Sequence, residues 1–312
     1  MNRANLAISL ERLAPPPLQQ AVATAHALDV QAITFAGTPR PYTPGQPALS
    51  FLWDELDPAM RAATRALRAE FARGVIHAPF VDIFMVSANP YIQAESLRQI
   101  HQSIHAAGEL ALETVTVHAP LPAKGMTAQD FRRRLVLTLR ELGRAAAAAG
   151  TRIGLENWRY PYDPEEHASI LAEVDHPAVG ATLDVGHIAY WFQHEGVTHL
   201  ADGAAVAEYR RRLLAFIDRL GPRILHVHLH DVHAATLADH RTVGSGIIDY
   251  APVLAGLARH GFDGILLLEL GEADFPTALQ ASLAHLGREL DLLAQSGPAV
   301  SPATNHTEAN YA

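Results

Sequence analysis

Short apolar runs alternate with longer amphipathic stretches along most of this chain. Segments 5–10, 31–35, 75–78, 114–118, 153–156, 179–184, 223–229 and 264–270 have strand length. Their near-continuous apolar character fits strands buried on both faces. Between them, 17–28, 57–73, 93–107, 127–149, 164–174, 203–220, 250–260 and 275–295 carry helical character. Local signals mark several helix ends. Asp57 and Asp163 stand where an N-cap belongs, with Pro58 at the first helical position, and Gly108 and Gly150 stand where helices close. The apolar positions Leu135, Leu139 and Leu142 keep helical spacing within 127–149.

Eight strand–helix repeats predict an α/β protein, a single-domain (β/α)8 TIM barrel over residues 1–295. The segment 296–312 is small, polar and Pro-containing, and reads as a disordered tail. An open doubly wound sheet is the alternative, and no GxGxxG follows the first strand to support it.

Six of the apolar runs stop on, or one residue before or after, a potential metal ligand: His77, His118, Glu156, Asp184, His228 and Glu269, spaced 28 to 44 residues apart. In a barrel these side chains converge on one mouth. Three carboxylates brought together would raise one another's pKa unless a cation neutralised them. With His228 as a nitrogen donor, Glu156, Asp184 and Glu269 make a candidate divalent-metal site with room for substrate oxygens.

Composition narrows the chemistry. The 312 residues are 49% hydrophobic and 18% charged, with a net charge of −9. That balance lacks the basic footprint of a nucleic-acid-binding protein. No cysteine is present, so a metal must be held by His, Asp and Glu, which suits Mn2+ or Zn2+, with Mg2+ or Co2+ as further options. No secretory signal or membrane-length apolar segment is evident, and the expected location is cytoplasmic. Lys124 is the sole lysine against 23 arginines, a bias that a GC-rich genome explains.

The segments HAPF (77–80), VHAP (117–120), LENW (155–158), LDVGH (183–187), HLHD (228–231), HRTVGSG (240–246) and LLLELG (266–271) together resemble the xylose isomerase-like TIM barrel superfamily. That superfamily includes sugar-phosphate isomerases and epimerases, inosose dehydratases, hydroxypyruvate isomerases and endonuclease IV. The resemblance implies that Glu156, Asp184, His228 and Glu269 are metal ligands. It implies that His77, His118, His187 and His240 line the substrate pocket or hold additional metal, as in endonuclease IV. The aspartate expected two residues before His240 is Ala238, with Asp239 shifted by one. Two positions of the ketohexose 3-epimerase pattern fall on Ala234 and Tyr162, which speaks against that particular activity. A homodimer or homotetramer is the family's habit.

The expected activity is isomerisation, epimerisation or dehydration of a sugar, polyol or sugar phosphate. Glu156 and Glu269 form an acid/base pair that transfers a proton alpha to a carbonyl, and a metal ion stabilises the enediolate. An endonuclease IV-like phosphodiesterase is the alternative, and a non-catalytic metal-binding barrel a third. Lys124, Trp158 and Arg159 are weaker substrate-binding candidates. Asn157 reads as a support for Glu156, and Tyr190, Trp191 and Phe192 as pocket wall or core. His194, His226, His230 and His233 read as surface or supporting residues.

Overall fold

The computed structural model describes residues 1–13 and 17–295; the expected disorder of 296–312 concerns residues outside that range. Seven parallel strands come first: β1 (Leu6–Ser9), β2 (Ala32–Ala36), β3 (Arg73–His77), β4 (Thr114–Val117), β5 (Arg152–Glu156), β6 (Val179–Asp184) and β7 (Ile224–Leu229). A short antiparallel pair, β8 (Asp231–His233) and β9 (Ala238–Arg241), follows, and then β10 (Ile265–Leu268). The barrel order is β1-β10-β7-β6-β5-β4-β3-β2, and β1 pairs with β2 to close it. The expected TIM barrel is therefore the observed fold.

The helices are α1 (Leu10–Leu13), α2 (Leu18–Ala27), α3 (Pro58–Ala69), α4 (Pro90–Glu109), α5 (Ala128–Ala149), α6 (Pro164–Val174), α7 (Ile188–His194), α8 (Gly203–Leu220), α9 (Tyr250–Arg259) and α10 (Phe275–Gln295). Most of the core lies between this outer layer and the strands, as with Leu135, Leu139 and Leu142 on α5, all fully buried. Among the described residues, no helix is long and apolar enough to cross a membrane.

Local chemistry explains the helix ends. Asp57 accepts from the Met60 N–H, with Pro58 at the first helical position, and Asp163 accepts from the Glu166 N–H. Gly150 closes α5 at φ 75°, a conformation that costs glycine little. Gly108 does not end its helix. It sits inside α4, where an added Cβ would lie 3.1 Å from the Ala149 carbonyl oxygen. Its role is close packing against α5, and α4 runs on to Glu109. That helix also starts three residues earlier than the apolar pattern suggests, because Asn89 caps the N–H groups of Tyr91 and Ile92 and Pro90 opens the first turn.

Two-residue periodicity along the strands places the chemistry. A small buried cluster of Ala7, Ala32, Val75, Ile265 and Leu267 is separate from the main core. Further round the barrel, Thr116 and Thr182 meet at 3.1 Å between the non-adjacent strands β4 and β6. These residues belong to the sets that alternate toward the barrel interior. Two residues further along the same sets lie His77, His118, Asp184 and Glu269. Glu156 and His228 end the corresponding sets on β5 and β7. The six strand-end residues therefore top the barrel interior at one mouth.

Candidate metal centre

Glu156 is 1% exposed and Asp184 is fully buried, while the Glu269 side chain is 36% exposed. Around Glu156, Oε2 lies 2.9 Å from His118 Nε2 and 3.3 Å from His77 Nε2; Oε1 lies 2.9 Å from His187 Nδ1 and 3.6 Å from His228 Nδ1. His228 Nδ1 also lies 3.5 Å from Asp184 Oδ2 and 3.0 Å from Glu269 Oε2. A third layer adds Asp239, 3.8 Å from His187 and 3.1 Å from His240, while His240 is 3.7 Å from Glu269. All four expected ligands are thus interlocked, and His77, His118, His187 and His240 join them.

Three sets of donor atoms within this network are compact enough to hold a metal ion: His77, His118 and Glu156; Glu156, Asp184 and His228; and Asp184, His187, His230 and His240. Glu156 and Asp184 each belong to two sets. The chemistry of the donors fits a divalent cation. Buried polar atoms are normally hydrogen-bonded, yet His118 Nδ1, His187 Nδ1 and both ring nitrogens of His228 have no aligned partner. His77 Nδ1 is 2.7 Å from the Ala78 carbonyl oxygen, so Nδ1 carries the proton and donates it. Its Nε2 lone pair then faces the Glu156 carboxylate, and two acceptors at that separation need a cation or a proton between them. A ring that donates to a backbone carbonyl while presenting its other nitrogen inward is the usual setting of a metal-binding histidine.

The electrostatics express the same crowding. Burial alone would raise the Glu156 and Glu269 carboxyls. The charge of His118 and His228 on the former, and of His228 and His240 on the latter, hold both well below the usual carboxylate range. Burial opposes the charged forms of His187 and His228, but neighbouring carboxylates outweigh it and raise both. Asp239 and Glu269 likewise overcome burial at His240 and push it up to about 11. His118 moves the other way, because burial outweighs its attraction to Glu156. His226, two residues below His228, is lowered to about 3 by burial and by that neighbour, and bonds the Ile265 carbonyl oxygen at 2.8 Å.

Several weaker assignments change on placement. His230 is fully buried inside the network, 2.8 and 3.0 Å from the two Asp184 oxygens. It stacks on His240 with ring centroids 4.3 Å apart. Its position two residues after His228 in HLHD carried that signal, since alternation returns it to the same side. Asn157 clamps Asp184 rather than Glu156: its side chain accepts from the Asp184 N–H at 2.8 Å and donates to the Asp184 carbonyl oxygen at 2.9 Å. Trp158 stacks on His118 at 4.9 Å, and the Arg159 guanidinium lies over Trp158 and Tyr190. Trp191 and Phe192 are core residues, while His194 and His233 are exposed. Lys124 is exposed on the β4–α5 loop, outside the network.

A cavity of about 280 Å³ opens on the β1–β2–β3–β10 side of the mouth. Ser9, Glu11, Thr34, His77, Phe80 and Glu269 contribute to its lining. Glu11 is held by Arg40 at 3.1 Å and by the Ser50 hydroxyl at 2.8 Å.

The sequence profile described as xylose isomerase-like TIM barrel matches residues 22–289. The chain belongs to the xylose isomerase-like TIM barrel family. Uncharacterized protein MJ1311 of Methanocaldococcus jannaschii is 28% identical to this family member over 202 residues, 62% of the chain. The aligned region spans 63% of that relative's own length. A D-tagatose 3-epimerase-like protein superposes with a TM-score of 0.71 at 22% identity, covering 93% of this barrel and 98% of the other chain. An L-ribulose 3-epimerase gives 0.70 at 17% identity, with 97% and 99% covered. The TTHB071 protein from Thermus thermophilus, in a ZnCl2-soaked structure, gives 0.57 at 22% identity, with 94% and 98% covered. At these identities the superpositions show that the fold is shared.

Proposed function

We propose that this barrel is a divalent-metal-dependent enzyme that moves a proton beside a carbonyl of a small sugar or polyol, giving isomerisation, epimerisation or dehydration. The observation that carries the reading is the position of Glu269. It is the carboxylate of the network that also lines the cavity, and it stands 3.0 Å from a histidine whose two nitrogens have no aligned partner. Glu156, Asp184, His228 and Glu269 would hold the ion. A divalent cation there supplies polarisation of a substrate carbonyl and stabilisation of the negative charge left when the neighbouring proton departs.

The chain's own residues divide the remaining work. Glu269, partly exposed, takes the α-proton from a substrate seated in the cavity. Across the mouth, Glu156 and His77, with Oε2 and Nε2 3.3 Å apart, form the acid side that returns a proton, since His77 lines the same cavity. Return to the same carbon from the opposite side gives an epimer, and return to the neighbouring carbon an isomer. Phe80, packed edge-on over His77 at 5.1 Å and against His118 at 5.2 Å, screens the pair from water.

Solvent-deuterium exchange on a panel of ketoses, inososes and small 2-keto polyols tests this reading. The metal-loaded protein should label an α-carbon, and Glu269→Gln should slow labelling by about 100-fold or more, the usual weight of a general base. Full exchange in Glu269→Gln would overturn the assignment.

A second reading has its own support. The two outer donor sets share Glu156 and Asp184 with the central one, and linked metals suit phosphodiester hydrolysis. Cleavage of a plasmid carrying abasic sites, lost in Glu156→Gln, would favour that reading; an uncut plasmid beside labelled polyol favours the first.

A further inference from the structure

His230 falls within one of the three potential metal-binding sets, but its hydrogen bonds give it a different role. The His240 backbone N–H donates to His230 Nδ1 at 2.8 Å. A backbone amide is an obligatory donor, so Nδ1 must present its lone pair. The Asp231 carbonyl oxygen, at 3.4 Å from the same nitrogen, is a much poorer partner. A neutral imidazole carries one proton, and it must therefore sit on Nε2, between the two oxygens of Asp184 at 2.8 and 3.0 Å. Ligation of a metal through Nε2 would move that proton to Nδ1 and set two N–H groups against each other.

We propose that His230 is a positioning residue: as an Nε2–H donor it fixes the Asp184 carboxylate for metal binding and latches the β8–β9 hairpin to the metal centre, without itself becoming a ligand. The inference rests on Asp184 being a metal ligand, as in the function proposed above. Four further features fit the latch. Unlike His118, His187 and His228, His230 has no buried nitrogen that lacks an aligned hydrogen-bond partner. Asp184 Oδ1 also accepts the backbone N–H groups of Gly186 and His187 at 2.8 and 2.9 Å, so His230 completes its orientation. His240 is held at φ 56°, a left-handed conformation that a non-glycine residue adopts only when its surroundings enforce it. The enforcing bonds are its N–H to His230 and its carbonyl oxygen to the Gly271 N–H at 2.7 Å. Gly186 leaves the space for the ring, because a Cβ there would collide with His230 Cε1.

Zinc titration of the full chain and its His230→Gln and His230→Leu variants tests the latch. Gln keeps an N–H donor toward Asp184, whereas Leu keeps only bulk. His230→Leu should bind zinc about 10–100-fold more weakly, the usual effect of removing such a support. His230→Gln should recover most of the loss, and both should reach wild-type stoichiometry at saturation. Loss of one equivalent in both variants, or undiminished affinity in His230→Leu, would overturn the proposal.

Nitrogen-15 histidine spectra of the wild type provide an answer that survives a variant that does not fold. The proton should stay on Nε2 of His230 with and without zinc; a bare Nε2 in the loaded protein contradicts the latch. If the wild type binds neither zinc nor manganese, magnesium or cobalt, the metal reading fails, and the tautomer in the unloaded protein decides the hydrogen bond to Asp184 alone.

Discussion

Glu156 and Glu269 are the same residue type at equivalent strand ends, yet their surroundings separate them. Glu156 is enclosed by His77, His118, His187 and His228, whereas Glu269 meets His228 and His240 and keeps a third of its side chain exposed. In the metal-free protein the carboxylates raise His187 and His228 and push His240 up to about 11, so the His240 ring holds its proton at neutral pH and the other two favour the charged form more than a free imidazole does. Histidine must lose that proton to ligate. Metal binding should therefore release protons and tighten as pH rises, through neutrality and beyond. Titration calorimetry in buffers of different ionisation enthalpy checks this, and a buffer-independent heat would contradict it. The metal-free fold has the opposite dependence. The stabilisation from His240 is complete below about pH 6.5 and is lost as pH rises through about 11.

At the scale of elements, strand ends are more legible than what lies between them. The residue that ends each apolar run can be read from the chain because a parallel strand buried on both faces seldom carries a carboxylate before it emerges. Gly108 defeats such a reading because a glycine near the end of a helical pattern serves equally as a cap or as a close-packing position, and only the approach of α5 decides. The β8–β9 hairpin, with just three and four residues, has no apolar run to announce it. The sequence leaves His230 between a surface and a supporting role for a related reason: the nitrogen that decides belongs to the backbone of His240, ten residues away. α6 carries a separate consequence. His167 is fully buried against Phe216, and burial lowers it to about 3. A histidine depressed in this way favours the fold above its unfolded pKa near 6.5, and that contribution fades as pH falls toward 3. His167→Leu should remove this acid sensitivity, and at pH 5 the variant should gain roughly 2 kcal/mol relative to its offset at pH 7. Denaturant melts at the two pH values measure the difference, and equal offsets would contradict it.

For the whole molecule, the barrel does what no local motif can. It brings side chains from six strands, separated by nearly two hundred residues of chain, to one mouth, and period-2 alternation selects which side chain each strand presents. The eight-strand fold and the convergence followed from the sequence because both depend on patterns that repeat. Partition of the network did not, because that depends on which nitrogen of each ring faces which oxygen. The central claim is that this convergence is a metal centre with Glu156 shared between donor sets. Equilibrium dialysis followed by elemental analysis of the wild type and Glu156→Gln tests it most directly. The account predicts at least one tightly held divalent ion per wild-type chain and loss of tight binding in a folded Glu156→Gln. A wild type that retains no ion, or a Glu156→Gln variant that binds as the wild type does, would contradict it.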